Sequence, residues 1–137
     1  MSDAELMSTE LLLNNDQQAQ FIQLTHILSA DIHLTSKAKG FWDWYYANRN
    51  DPEAVTRYIL SALMLSVTEL AELAEGVRHD NPPDQHLPEF SSAEVEAADA
   101  IIRILDMSDA IKWRTAEALI AKLAYNKSRP YKHGKNS

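Results

Sequence analysis

Apolar residues recur at steps of three and four along most of the chain, and the pattern predicts four helices. The first, QQAQFIQLTHILSADIHLTSKAK, opens behind Asp16 as its N-cap. Its apolar stripe is Phe21, Leu24, Leu28 and Ile32, with Ile27 beside it. Gly40 closes it, as a C-terminal glycine does. An aromatic-dense connector, FWDWYYANRN, leads to DPE at 51–53, where Asp51 caps, Pro52 suits the first helical position and Glu53 complements the dipole. The second helix is predicted from about 52 to 79, with Val55, Ile59, Ala62, Leu63, Ser66, Leu70, Leu73 and Val77 on its inner face.

Residues 80–90, DNPPDQHLPEF, contain Pro82, Pro83 and Pro88 and are excluded from a helix interior. A third helix restarts at Ser91, which forms a capping-box spacing with Glu94. Its predicted inner face is Val95, Ala98, Ile102, Leu105 and Ser108, and it fades near Ile111. KWRT makes a short turn. Thr115 is expected to cap a fourth helix, AEALIAKLAYNKS, which Pro130 ends. The expected fold is all-α: one domain over 16–130 resembling a four-helix bundle, or an interlocked dimer of such parts. A lead-in at 1–15 and a basic tail at 131–137 flank it.

Composition supports this picture and narrows the function. Only three glycines and five prolines occur in 137 residues, which favours long helices over a many-turned sheet. The net charge of −7 argues against a bulk nucleic-acid binder. The charge is uneven, however: no acid follows Glu117, whereas Lys122, Lys127, Arg129, Lys132 and Lys135 do. Cysteine is absent, so disulfide and thiolate chemistry are excluded. The first residues lack the pattern of a signal or transit peptide, and no uninterrupted apolar run approaches the roughly 20 residues that span a bilayer. A cytoplasmic protein with neither a membrane nor a nucleic-acid partner is expected.

The candidate chemistry lies in two pairs of acids. Glu69 and Glu72 are three residues apart on the second helix, and Glu96 and Asp99 are three apart on the third. Residues at that spacing are surface neighbours, so each pair presents its carboxylates on one side, at the margin of the buried face. If the two helices pack antiparallel, the pairs can meet. Clustered carboxylates repel unless neutralised, and a hard divalent cation such as Mg²⁺, with oxygen ligands, is the direct solution. The bland reading is a solvated acidic face paired with Arg78 or Arg103. A di-iron bundle needs Glu-x-x-His on two helices, which this chain does not have. On the last helix, Lys122, Asn126 and Arg129 share one face and suit phosphate oxygens and sugar.

ELAE at 69–72 followed by EAAD at 96–99 resembles the ExxE…ExxD signature of the MazG-like all-α nucleoside triphosphate pyrophosphohydrolases. IHLTSKAKGFWD and KLAYNKSRPYKHGK resemble the family's flanking segments, and the likeness covers roughly residues 20–135. The resemblance implies a Mg²⁺-dependent enzyme, with Mn²⁺ as a second option, that cleaves the α–β phosphoanhydride of a nucleoside triphosphate. Glu69, Glu72, Glu96 and Asp99 would be metal ligands, and Glu72 would also orient the attacking water. His33 and Trp42 fall in the segment resembling the base-recognition region. Lys37, Lys122, Asn126, Arg129 and Tyr131 would reach phosphate or close over the ligand. Members act as dimers or tetramers, so a homo-oligomer is expected. One departure is the connector IKWRT, which lacks the family's usual glycine. The alternative is a non-catalytic helical interaction module that keeps the acids only for structural cations.

Overall fold

The computed structural model describes residues 10–130, and these are mostly helical with no strand among them. Five helices follow in order: α1 (Asn15–Ala38), α2 (Asp43–Asn48), α3 (Pro52–Arg78), α4 (Ser92–Ile111) and α5 (Thr115–Ser128). Most of the expected lead-in, the tail 131–137 and with it Tyr131 lie outside the described residues. Two compact units emerge: one joins Met1–Leu28 to Arg114–Ser137, and the other is Ser29–Trp113.

Local chemistry explains the boundaries. Asn14, rather than Asp16, caps α1: its Oδ1 accepts from the Gln17 backbone N–H at 2.9 Å, and Gln17 Oε1 accepts from the Asn14 N–H at 2.9 Å. This reciprocal box satisfies two donors at once, and Asp16 is left in the first turn, where it favours the dipole. Gly40, at φ +86°, ends α1 with Phe41 N–H bonded to Ser36 O and Gly40 N–H to Lys37 O, the paired bonds of a Schellman motif. Asp51 caps α3 through the N–H groups of Glu53 and Ala54. Ser91 and Glu94 form the predicted capping box of α4. Thr115 does not cap α5: it is the first helical residue, and Arg114 precedes it with no side-chain cap bond. The aromatic connector folds into α2, a helix of one and a half turns that the sequence pattern was too short to reveal.

Within the Ser29–Trp113 unit, α3 and α4 pack against each other. Gly76 lies against Ser92, Glu72 gathers with Glu96, and Glu69 pairs with Arg103. Partner numbers rise as positions on α3 fall, so the helices are antiparallel. A Cβ at Gly76 would stand 3.1 Å from Ser92 Oγ, so this glycine permits the close approach where the helices meet. The proline loop between them is tied down: Asp84 Oδ1 accepts from the N–H groups of His86 and Leu87, and Asn81 Oδ1 accepts from Ala93 N–H. The core of the unit is Trp42, Tyr45 and Met107, with Tyr46, Val55, Tyr58, Ile59, Ala62, Ala110 and Ile111 packed around them.

The apolar stripes match the sequence pattern in part: Phe21 and Ile32 on α1, Val55, Ile59, Ala62, Ser66 and Leu73 on α3, and Val95, Leu105 and Ser108 on α4 are buried or half-buried, whereas other expected positions are not. On α3 the buried positions are Ala54, Ser66, Glu69 and Gly76, while Leu70 and Val77 are exposed. On α4 the buried positions are Ala100, Met107 and Ser108, and Ile102 is exposed. On α1 Leu24, Ile27 and Leu28 are exposed, and Ser29 and His33 are buried. Small or hydrogen-bonded residues thus fill the contacts where α3 and α4 meet around Gly76 and Glu69, and part of the aliphatic surface faces outward. This leaves α3 with a run of exposed Leu60, Met64 and Val67 at helical spacing. By length and mean composition α3 is also apolar enough to cross a bilayer, the one such helix among the described residues. It carries Glu53, Arg57, Glu69, Glu72, Glu75 and Arg78, and its face against α4 is polar at its centre, as suits a helix packed on protein.

Candidate metal centre and adjoining cavity

Antiparallel packing of α3 and α4 brings three of the four expected acids together. Carboxylate oxygens of Glu69, Glu72 and Glu96 all lie within 4.8 Å of one another. Their environments differ: Glu69 is buried, Glu96 half-buried and Glu72 exposed. Glu69 Oε1 accepts a short hydrogen bond from Arg103 Nε, the partner that the bland reading had offered it. Glu75 takes the other, accepting from Arg78 at 3.0 Å, and stays outside the cluster. Glu96 Oε2 is buried without a hydrogen-bond partner among the described residues. Burial, the Glu72 charge and contact with Glu69 together push the Glu96 carboxyl up to about 7.

Asp99 is set one turn along α4, outside this three-carboxylate group but on the wall of the same cleft. Burial and the Glu69 charge raise its carboxyl, and the Arg103 guanidinium opposes them. The cleft is a cavity of about 490 Å³ whose lining includes Asp31, Phe41, Trp42, Glu69, Asp99, Arg103 and Asp106. Acidic and aromatic side chains therefore share its lining.

His33 is buried behind this wall, and both its ring nitrogens are engaged. Nδ1 meets Asp106 Oδ1 at 2.7 Å and Nε2 meets the Tyr46 hydroxyl at 2.6 Å. The carboxylate accepts, so Nδ1 carries a proton toward Asp106. Burial raises the Tyr46 phenol, so its hydroxyl keeps its proton beside Nε2. Trp42 donates its indole N–H to Asp106 Oδ2 and to Ser36 Oγ, each at 3.0 Å. Its ring meets His33 edge-on with centroids 5.0 Å apart. Trp42 is thus both core and cavity wall, whereas His33 is a fastener of that wall. Lys37 places its ammonium 4.5 Å from the Tyr46 ring centre.

Asp106 and Arg103 are the residues the sequence reading did not place at the site. Their signal was present: Glu96, Asp99, Arg103 and Asp106 step along α4 by three, four and three, one continuous polar stripe. It was hidden because that stripe was assigned to the margin of the core rather than to its centre.

In the other unit, α5 carries Lys122, Asn126 and Arg129. Lys122 and Arg129 both approach the Tyr125 ring, at 4.7 and 5.7 Å from its centre. His26 binds Glu117 at 2.5 Å, and that contact holds the Glu117 carboxyl below its usual range.

The carboxylate set fits a hard cation. It offers oxygen donors only, one donor atom is buried and unpartnered, and the charges repel as they stand. Comparison of the chain with protein-family models, with curated proteins and with solved structures finds no match.

Proposed function

We propose that the chain is a Mg²⁺-dependent hydrolase of nucleoside or deoxynucleoside triphosphates. It would cleave the α–β phosphoanhydride to a nucleoside monophosphate and pyrophosphate and serve in nucleotide-pool house-cleaning. The observation that carries the reading is the convergence of Glu69, Glu72 and Glu96 within 4.8 Å, with Glu69 also lining a cavity that Phe41 and Trp42 line. Bound Mg²⁺, or Mn²⁺ in its place, supplies charge neutralisation of the phosphate oxygens and lowers the cost of bringing an anion to an acidic protein.

The chain's own residues have separate tasks. Glu69, Glu72, Glu96 and Asp99 would hold the cation between α3 and α4. Glu72, the exposed member of the cluster, would also orient the attacking water, and its carboxylate would take up the proton as the P–O bond to pyrophosphate breaks. Phe41, the exposed aromatic on the cavity lining, offers a stacking surface for a nucleobase, and the mostly buried Trp42 adds to the same lining. His33, Asp106 and Tyr46 keep Trp42 in position. Lys37 is a further cation for phosphate, and the family resemblance alone assigns phosphate or sugar contacts to Lys122, Asn126, Arg129 and Tyr131. A homodimer or homotetramer is part of the reading, and the exposed Leu60, Met64 and Val67 line on α3 supports it, because large exposed apolar faces mark association surfaces.

A second reading is a non-catalytic helical module, and the Glu69–Arg103 pair favours it, since that pair already neutralises one acid without a cation. Pyrophosphate release from a panel of triphosphates separates the two. The enzyme releases it with Mg²⁺ and stops with chelator; a module shows no metal-dependent release from any of them.

A further inference from the structure

Arg103 lies on the cavity wall next to Glu69, Asp99 and Asp106. Its Nε donates to Glu69 Oε1, so the positive charge sits on a carboxylate of the three-oxygen cluster. The two partners differ in exposure: the Glu69 side chain is 9% exposed, whereas that of Arg103 is 41% exposed. The acid lies in the interface between the helices, and the arginine is the partner that reaches solvent. Arginine does not deprotonate in proteins, so it cannot leave Glu69 by losing its charge. A cation that takes up Glu69 must therefore displace it.

The displaced guanidinium then needs an anion. Asp106 is already engaged by His33 and Trp42. Asp99 shares the cluster's cation under the reading above, on which this inference rests. What is left along the wall is the ligand filling the cavity, and a planar guanidinium suits phosphate oxygens bidentately.

We propose that Arg103 is an internal stand-in for the cation: it neutralises Glu69 until a divalent metal takes that carboxylate, and then turns to bind the phosphate chain of the cavity's occupant. Arg103 is thus both a competitor of the metal and a ligand of the substrate. A residue that only braces the helices would not have opposite effects on the two.

The test is calorimetry on the full chain as wild type, Arg103→Gln and Arg103→Lys, with two probes: Mn²⁺ alone, and inorganic triphosphate in excess Mg²⁺. Removing a competing charge at this partly exposed site tightens Mn²⁺ binding by about tenfold in Arg103→Gln, and losing the phosphate contact weakens inorganic triphosphate by about tenfold. Arg103→Lys keeps the charge and holds Mn²⁺ affinity within about twofold of wild type. Thermal unfolding gives a second readout that does not need a fully stable apo variant: Mn²⁺ raises the Tm of Arg103→Gln more than that of wild type, because it covers a carboxylate left bare. Unchanged Mn²⁺ affinity in Arg103→Gln, unchanged triphosphate affinity, or an Arg103→Lys that tightens Mn²⁺ as much as Gln overturns the inference while leaving the metal centre standing. Wild-type protein that binds no Mn²⁺ overturns the metal centre itself, and this inference with it.

Discussion

Replacing Glu96 with Gln removes one charge from the three-carboxylate cluster and nothing else of similar size. Its carboxyl is raised from the ordinary 4.5 to about 7 in the folded chain, by burial first and by Glu72 and Glu69 next. A raised carboxyl means that the folded state holds the proton more tightly than the unfolded one. The stabilisation is complete below about pH 4.5 and is lost as pH climbs through 7. At about 1.4 kcal/mol per pH unit the loss has a ceiling near 3 kcal/mol. Water around the exposed Glu72 screens part of the repulsion, so about 1–2 kcal/mol is expected.

Glutamine mimics the protonated acid and does not titrate. In chelator at pH 8, Glu96→Gln should therefore be more stable than wild type by about 1–2 kcal/mol, equivalent to a Tm rise of roughly 3–8 °C for a chain of this size. Near pH 4.5 the two should coincide. Added Mg²⁺ should reverse the order at pH 8, because it stabilises wild type by mass action and finds one ligand fewer in the variant. Urea unfolding followed by circular dichroism at pH 4.5, 6 and 8, with chelator and then with Mg²⁺, measures all three effects. If Glu96→Gln is the less stable protein at pH 8 in chelator, or the difference is the same at every pH, the carboxylates are not repelling one another.

Three further outcomes follow from the site and its supports. Glu69→Gln and Asp99→Asn should each abolish metal-dependent pyrophosphate release while helical circular dichroism is retained, since the half-exposed Arg103 can be hydrated once its partner is neutral; full activity in either variant removes that residue from the ligand set. Asp106→Asn should cost about 1–3 kcal/mol in urea unfolding, because one acceptor of the paired His33 and Trp42 N–H groups becomes a donor; a change below about 0.5 kcal/mol contradicts the network. Lys112 holds a left-handed backbone at φ 61° where α4 ends, a conformation that disfavours every residue with a Cβ. Lys112→Gly should raise stability by about 0.5–1 kcal/mol, read as a higher urea midpoint at unchanged m.

Helix existence was legible in the sequence because each end carries its own chemistry. Pro82, Pro83 and Pro88 forbid a continuation, Ser91 and Glu94 close a box, and Gly40 supplies a left-handed position. The acid pairs were legible for the same reason: spacing alone puts Glu69 beside Glu72 and Glu96 beside Asp99. The face that each helix buries was legible only in part. A helix with aliphatic residues on more than one side satisfies the period whichever side turns inward: α3 turns the expected Ser66 inward, but Glu69 and Gly76 with it, while Leu70 and Val77 face out. The reading of Trp42 and His33 was open between packing and ligand contact; Asp106, on another helix and far along the chain, is what ties the two together, and no local pattern announces such a contact. The glycine missing from IKWRT, by contrast, corresponds to a particular feature, the left-handed Lys112.

Three neighbouring carboxylates pose one electrostatic problem, and the chain answers it differently at each. Glu69, the most buried, is neutralised by a guanidinium. Glu96, half-buried, is held near neutral pH by a proton. Glu72 is left in water. All three compensations are reversible: an arginine on an open wall can swing away, a proton bound with an affinity near 7 is given up readily at cellular pH, and water exchanges freely. A cluster designed only for stability would gain more from apolar side chains of similar volume, because a buried ion pair rarely exceeds its desolvation cost. A set of acids whose every neutralising partner can be exchanged for a divalent cation is stable enough to fold without one and loses little when it arrives. Under the proposed function, that property is what would separate a metal centre from a merely acidic surface.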